Sequence, residues 1–505
     1  MAFASRSSVF AFSMEGNEGV PVGPAATDFT VVREGAQLTG AVNTVNSDEL
    51  RNSIGASKSF VTSQAPTGSI PHYWKHSGIE GVEPDYGILI QACLGGVEVN
   101  TTEFFTVPGS TAGDTETRAT LLVAVGDELN FQLGQGILIK DGANGYAVRN
   151  LVEGSSPGVL PMSFNFETAP GGAIGLGKAI HYLPDTDQPT FTAHWYQAAV
   201  NSAFHQMISG CRTTGMTIEL NANELAAISF EIAGVRFFIN PIEITLATSW
   251  IDFTDSVGTV AAQLEQKVYS TPIDLANEIA GKMSGVSADV ISVHYDNNTG
   301  KFIISSDGTV LDILWATGSH APTSARGKLG FDNLDDTGAL TYTSDSAQVY
   351  DPPVTPVFDA QTPGVVRDNM LQLGTFSDYL CVGGQALTIS VATPKTDVPN
   401  WCAETGIDES VILSREVTVS GTLKFKKHDV QRFYNLINNV DTQLSFVHGQ
   451  KVGGNWVPGS ICNVFIRTAS MTSETIADQD GYVVEQFEAT AYVGPDMEDF
   501  YMNFL

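Results

Sequence analysis

A strand-plus-helix pattern that occurs twice is the feature that most limits what this chain can fold into. In the later copy Val417, Val419, Leu423 and Phe425 alternate with Thr418, Ser420, Thr422 and Lys424, the period of a half-buried strand. His428 and Asp429 then open a helix with Val430, Phe433, Tyr434 and Ile437 on one face. The earlier copy runs through Ile70, His72 and Trp74 into an amphipathic helix from Pro84 that carries Tyr86, Leu89, Ile90 and Cys93 and stops at Gly95-Gly96. Few residues are identical between the copies. A unit used twice, with no catalytic signature beside it, reads as a building block, and two copies per chain would let few subunits close a ring of many equivalent units.

The totals fit that reading. At 505 residues the chain exceeds one ordinary core, so two to four domains are expected. Glycine is abundant, at 49 residues, and helix-favouring runs are scarce, which tips the balance toward β structure with many turns. Lys plus Arg number 25 against 56 Asp plus Glu, a formal charge of −31. That balance disfavours a protein that grips nucleic acid by neutralising phosphates. It suits either a solvated acidic surface or one that repels polyanions. Five cysteines stand singly, at Cys93, Cys211, Cys381, Cys402 and Cys462, and argue against a secreted disulfide framework and against zinc. No apolar run approaches the roughly 20 residues of a membrane span, and the run from Val9 to Phe12 is too short for a signal peptide. Synthesis and folding in a reducing cytoplasm are expected.

Along the chain, residues 1–30 read as an extended arm and 40–60 as a polar loop. Residues 31–244 form a first domain with a β-rich excursion over 97–188, where 136–140 and 146–149 flank a hairpin turn at 141–145. Alternating strands follow at 191–196, 216–220 and 228–232. Residues 245–350 form a small α+β module: Thr271 is a good N-cap, Pro272 suits the first helical position, and Leu275, Ile279 and Met283 share a face up to Gly285. Strands are expected over 291–295, 302–304 and 310–315, with a Pro-rich exit at 351–356. Residues 351–505 carry the second unit and further β runs at 461–467 and 482–492.

Catalytic chemistry is not apparent. Residues 172–179 fit GxxxxGK, but Ala179 stands where Ser or Thr must hold Mg²⁺, so a glycine-rich loop is expected. Asp332, Asp335 and Asp336 lack EF-hand spacing and read as an Asp-rich turn. His72 and His76 lie in a strand-like segment, without an HExxH. No cofactor or metal is expected.

Several stretches resemble the tail tube proteins of long-tailed bacteriophages with non-contractile tails. They are Asn46-Ser47-Asp48-Glu49-Leu50-Arg51 followed by Gly68-Ser69-Ile70 and the helix from Pro84, the run from Leu413-Ser414 through Val419-Ser420-Gly421-Thr422-Leu423, and Gly453-Gly454-Asn455-Trp456-Val457-Pro458. In the 245–350 module, 269–276 and 329–345 look like an accessory domain of phage tail proteins. Asn52-Ser53 follows Arg51 where the family often has Asp-Arg.

The resemblance implies a mainly β (α+β) fold: two sandwich or barrel tube units, each with a flanking helix, plus the inserted module on the tube exterior. It implies a structural virion protein, not an enzyme, whose rings stack into a tail tube that conducts DNA during genome ejection. Three chains per ring with pseudo-sixfold symmetry is the expected arrangement, with a hexamer of single units as the competing one. Tape-measure, tail terminator and distal tail proteins are the implied partners, and DNA passes without specific binding. Candidate lumen acids are Glu219, Glu231, Glu485 and Glu488. Candidate inter-ring contacts are Ser47, Asp48, Glu49, Leu50 and Arg51, with Phe500, Tyr501, Phe504 and Leu505 of the C-terminal tail. A carbohydrate-binding or capsid- or tail-decorating protein, and an acidic-site hydrolase, are the readings from other classes.

Overall fold

Alternation of apolar and polar side chains runs through most of the chain, and the computed structural model is mainly β. It describes residues 8–47, 58–154, 156–199, 202–377, 379–381, 383–403, 406–424, 437–438, 440–479, 481–494 and 498–505. In chain order the elements used below begin with β1 (Ser8–Met14), β2 (Gln37–Thr39), β3 (Val42–Asn46), β4 (Ser59–Gln64), β5 (Thr67–Tyr73), α1 (Gly87–Leu94) and β6 (Gly95–Asn100). Next come β7 (Gly136–Lys140), β8 (Ala147–Asn150), β9 (Ala179–Pro184), β10 (Phe191–Ala199), β11 (Ser202–Asn221) and β12 (Ala227–Ala233). The module contributes α2 (Pro272–Val286), β13 (Ile291–Asp296) and β14 (Lys301–Ser306). The last part holds β15 (Met370–Gly374), β16 (Gly384–Ala392), β17 (Lys395–Pro399), β18 (Ile407–Ile412), β19 (Glu416–Lys424), β20 (Thr442–His448), β21 (Cys462–Gln479), β22 (Tyr482–Ala491) and β23 (Tyr501–Phe504).

The chain divides into two compact units. The smaller comprises Met1–Ala11, Thr192–Ser209 and Arg236–Thr355, and so contains the expected module. There the Thr271 hydroxyl accepts the Asp274 N–H at 3.2 Å, capping α2 as expected. Leu275, Ile279 and Met283 pack into a core with Ile291, Phe302, Ile304 and Trp315. The helix runs one residue past Gly285. β13 and β14 form the expected hairpin, Ile291 opposite Ser306. The strand expected over 310–315 pairs only at Asp312–Ile313.

The larger unit comprises Phe12–Phe191, Gly210–Val235 and Pro356–Leu505. The expected boundaries at 31–244 and 351–505 are not those of this unit: residues 192–209, 236–244 and 351–355 fall in the smaller one, and one antiparallel sheet runs through parts of both expected tube domains. Its order is β2–β5–β12–β11–β16–β19–β22–β21, eight strands. A second sheet, β6–β9–β23–β21–β20–β15, uses the first part of β21 and lies across the core. Between them sit Ile70, Trp74, Phe230, Phe446 and Phe504, with Tyr86 at the start of α1. Gly95 closes α1 at φ 108°, a conformation that favours glycine. The helix is buried nearly all round, with six of its eight residues inside, rather than amphipathic as the spacing suggests. The second helix, expected from His428, falls outside the described residues.

The N-terminal arm is a strand from residue 8, with Phe10 and Phe12 buried. The 97–188 excursion leaves through β6 and returns through β9, which pairs with it. Its expected hairpin is β7–β8, Gly136 opposite Asn150. The GxxxxGK segment leads into strand β9, not a helix, so no phosphate cradle forms there. The Asp-rich turn is stitched from within: the Asp335 carboxylate accepts the Ala316 N–H and Asp336 accepts the Trp315 indole N–H at 2.9 Å. No helix among the described residues is long and apolar enough to cross a membrane.

Candidate functional site

The repeat seen in the sequence reappears in the long sheet as two four-strand halves. The first is β2, β5, β12 and β11; the second is β16, β19, β22 and β21. In each half the strand that follows the hairpin arm (β5 or β19) pairs with the second strand of a late hairpin (β12 or β22). The first strand of that hairpin is unusually long, 20 residues in β11 and 18 in β21. The halves join within the chain through β11 and β16, from Gly215 opposite Ala392 to Asn221 opposite Ala386.

The same two positions recur at the ends of the sheet. Among the described residues, β21 beyond Ala469 is laddered by β22 alone, through residues 470–479. Among the described residues β2, the counterpart of β16, is laddered by β5 alone. Such edges present backbone donors and acceptors that a further strand can pair.

One face of this sheet carries the core residues Ile70, Phe230, Ile218, Ile389, Val419 and Phe487. The other face, by strict alternation, carries Thr217, Ser229, Thr388, Ser390, Thr418 and Ser420. Glu219, Glu231 and Glu488 lie exposed on it, with Lys424 toward one end. The Ser69 hydroxyl donates to Glu231 at 2.8 Å. Glu485 does not join them: it is fully buried on the core face. Residues three apart on a strand point to opposite sides, so Glu485 and Glu488 could not both line one wall.

The expected ring-joining residues also separate. Ser47 sits at the end of an exposed hairpin, β3–β4, its N–H bonded to the Lys58 carbonyl at 3.2 Å. Asp48, Glu49, Leu50 and Arg51 lie outside the described residues. The tail residues Phe500, Tyr501, Phe504 and Leu505 are buried in their own chain and offer no surface to a neighbour. β23 is a central strand between β9 and β21. Phe504 meets the rings of Tyr182, Tyr86 and His76, and Tyr501 stacks on His181. Burial holds His76 and His181 neutral, pushed down to about 4.

A second hairpin arm, β17–β18, was not singled out in the sequence. It connects β16 to β19 as β3–β4 connects β2 to β5. All four sheet strands run antiparallel in register, so Thr39, Thr67, Ala392 and Glu416 lie at one end of the sheet and both arms leave from it. The arm is tied down at its base: Glu18 accepts the Ser410 N–H and pairs with Arg212 at 2.9 Å. Gly406 lies against the first arm, where a Cβ would come within 2.9 Å of the Thr62 carbonyl oxygen.

This arrangement offers edges, a polar face and arms. A family model described as phage tail tube protein matches residues 5–281, more than half of the chain. No curated protein matches it.

Proposed function

This chain belongs to the phage tail tube protein family, and from that membership we propose that three copies close a ring and that rings stack into a tail tube through which DNA passes. It is a structural protein of the virion tail, not an enzyme. The observation that carries the proposal is the β11–β16 ladder. The chain joins its own two halves through the same strand positions that its sheet leaves open at β21 and β2. One copy's β21 edge receives the next copy's β2, and the ring repeats the internal junction.

Magnitudes favour three copies. At about 4.8 Å between strands, three eight-stranded sheets span a circumference of roughly 115 Å, a backbone circle roughly 37 Å across when strands run along the axis. A duplex about 20 Å wide, with grooves about 8 Å deep, passes such a circle after side chains are allowed for. Six copies would double the circle.

The lumen wall in this reading is the Ser/Thr face with Glu219, Glu231 and Glu488. Apart from Lys424 toward one end, the short hydroxyl side chains and carboxylates of this face offer phosphates no cation to displace their counterions, so DNA slides without sticking. Replacing all three glutamates with Lys should leave tubes intact but make them retain duplex DNA at low salt and release it as salt rises. Lysine tubes that hold no more DNA than the native ones would remove this face from the lumen. Tape-measure, terminator and distal tail proteins are the partners of this assembly, and the 245–350 module decorates its exterior.

A further inference from the structure

Trp401, 99% exposed, stands at the tip of the β17–β18 arm. Two hydrogen bonds hold Asn400 beside it: the Asn400 side-chain oxygen accepts the Cys402 N–H at 2.9 Å, and the Asn400 N–H donates to the Gly406 carbonyl at 3.1 Å. An indole held wholly in water is a characteristic anchor for association.

The opposite end of the same sheet holds a complementary hollow. Where β11 ends and β16 begins, a cavity of about 260 Å³ is lined by Leu220, Leu371, Leu387 and Phe446 together with polar residues that include Asn223, Arg367 and Asp368. The leucines and the phenylalanine are buried. Arg367 is exposed at the rim, where a guanidinium can lie over an indole. β16 runs from this hollow to the base of the arm, roughly 30 Å along nine residues, and the arm carries Trp401 from that far end.

We propose that Trp401 of one copy seats in the Leu220–Leu387–Phe446 hollow of a second copy in the next ring, making the second arm a stacking contact. The inference rests on the tube reading. A knob at one end and a hollow at the other form a heterologous, head-to-tail contact, which elongates without closing. The first arm leaves the same end of the sheet beside it, so each chain would reach the next ring twice, once from each half of its repeat.

The test uses the native Cys402 beside Trp401. In the full chain, Ala222→Cys places a thiol on the hollow's lining, at an exposed position. Oxidation of assembled tubes should give a ladder of disulfide-linked chains, lost on adding Cys402→Ser. Trp401→Ser should raise the concentration needed for elongation about 30-fold, as expected of a tryptophan hot spot. Tubes that assemble but yield no ladder, and that tolerate Trp401→Ser, overturn the contact and leave the tube reading standing. Discrete particles that never elongate, even on a preformed tail tip, overturn both.

Discussion

At the residue scale, the C-terminal tail is the clearest case of a side chain's role being set by partners distant in sequence. Its four apolar residues look like a sticky end, but Phe504 and Tyr501 fill the middle of the sandwich. Phe504→Ala should cost about 3–5 kcal/mol of stability, measurable by urea unfolding. Removing residues 499–505 should leave an unfolded or aggregating chain; a stable, monodisperse truncated monomer would contradict this. A buried amide network ties the excursion to the same strand. Asn150 and Asn503 both donate to the Asn463 side-chain oxygen, at 2.8 and 3.0 Å, and Asn463 donates to Ser445. Asn463→Ala should cost about 1–3 kcal/mol or more, since it orphans buried partners. Acid should act here too. Burial pushes His72 down to about 3 and His76, His181 and His448 down to about 4. Unfolded histidines take protons near 6.5 while these cannot, so stability is present above that value and is lost as pH falls toward 4. The slope is up to roughly 1.4 kcal/mol per pH unit for each histidine. Asp359, pushed up to about 6 by burial and by Asp85 beside it, acts in the opposite sense, as do Asp85 and Asp336, which burial also raises, while His205, lowered by burial, adds to the histidines. The urea midpoint should fall markedly between pH 7.5 and pH 5; equal midpoints would refute the burial of these rings.

At the element scale, what was legible follows from burial. β5, β12, β19 and β22 each have one face on the core and one in water, so their alternation is plain in the sequence. The arms were hidden for the complementary reason. β3 is exposed along its whole length and β17 nearly so, leaving no apolar stripe to mark a strand. The first arm therefore reads as a polar loop, and the second shows only a Pro-Asn-Trp turn within a polar run. The strands beneath the excursion depend on long-range pairing such as β9 with β23, which no local pattern reveals. Ring closure is itself a prediction about an element. Amides of 470–479 that face away from β22 should exchange rapidly in the monomer and be protected in tubes. Protection unchanged by assembly would show that this edge does not join subunits.

At the scale of the whole molecule, we propose that the chain is two fused tube units and that its internal β11–β16 ladder is the template for contacts between chains. The sequence reads as two strand-plus-helix signatures, and the β11–β16 ladder joins two four-strand halves of one sheet. How many chains complete the circle depends on geometry that no single chain contains. The most direct measurement is the rotational symmetry of averaged electron-microscopic end views of assembled tubes. The account predicts threefold rings with six similar modulations around the wall and a pore just wider than a duplex. Rings of strict sixfold symmetry, with one whole chain per repeat, would contradict it.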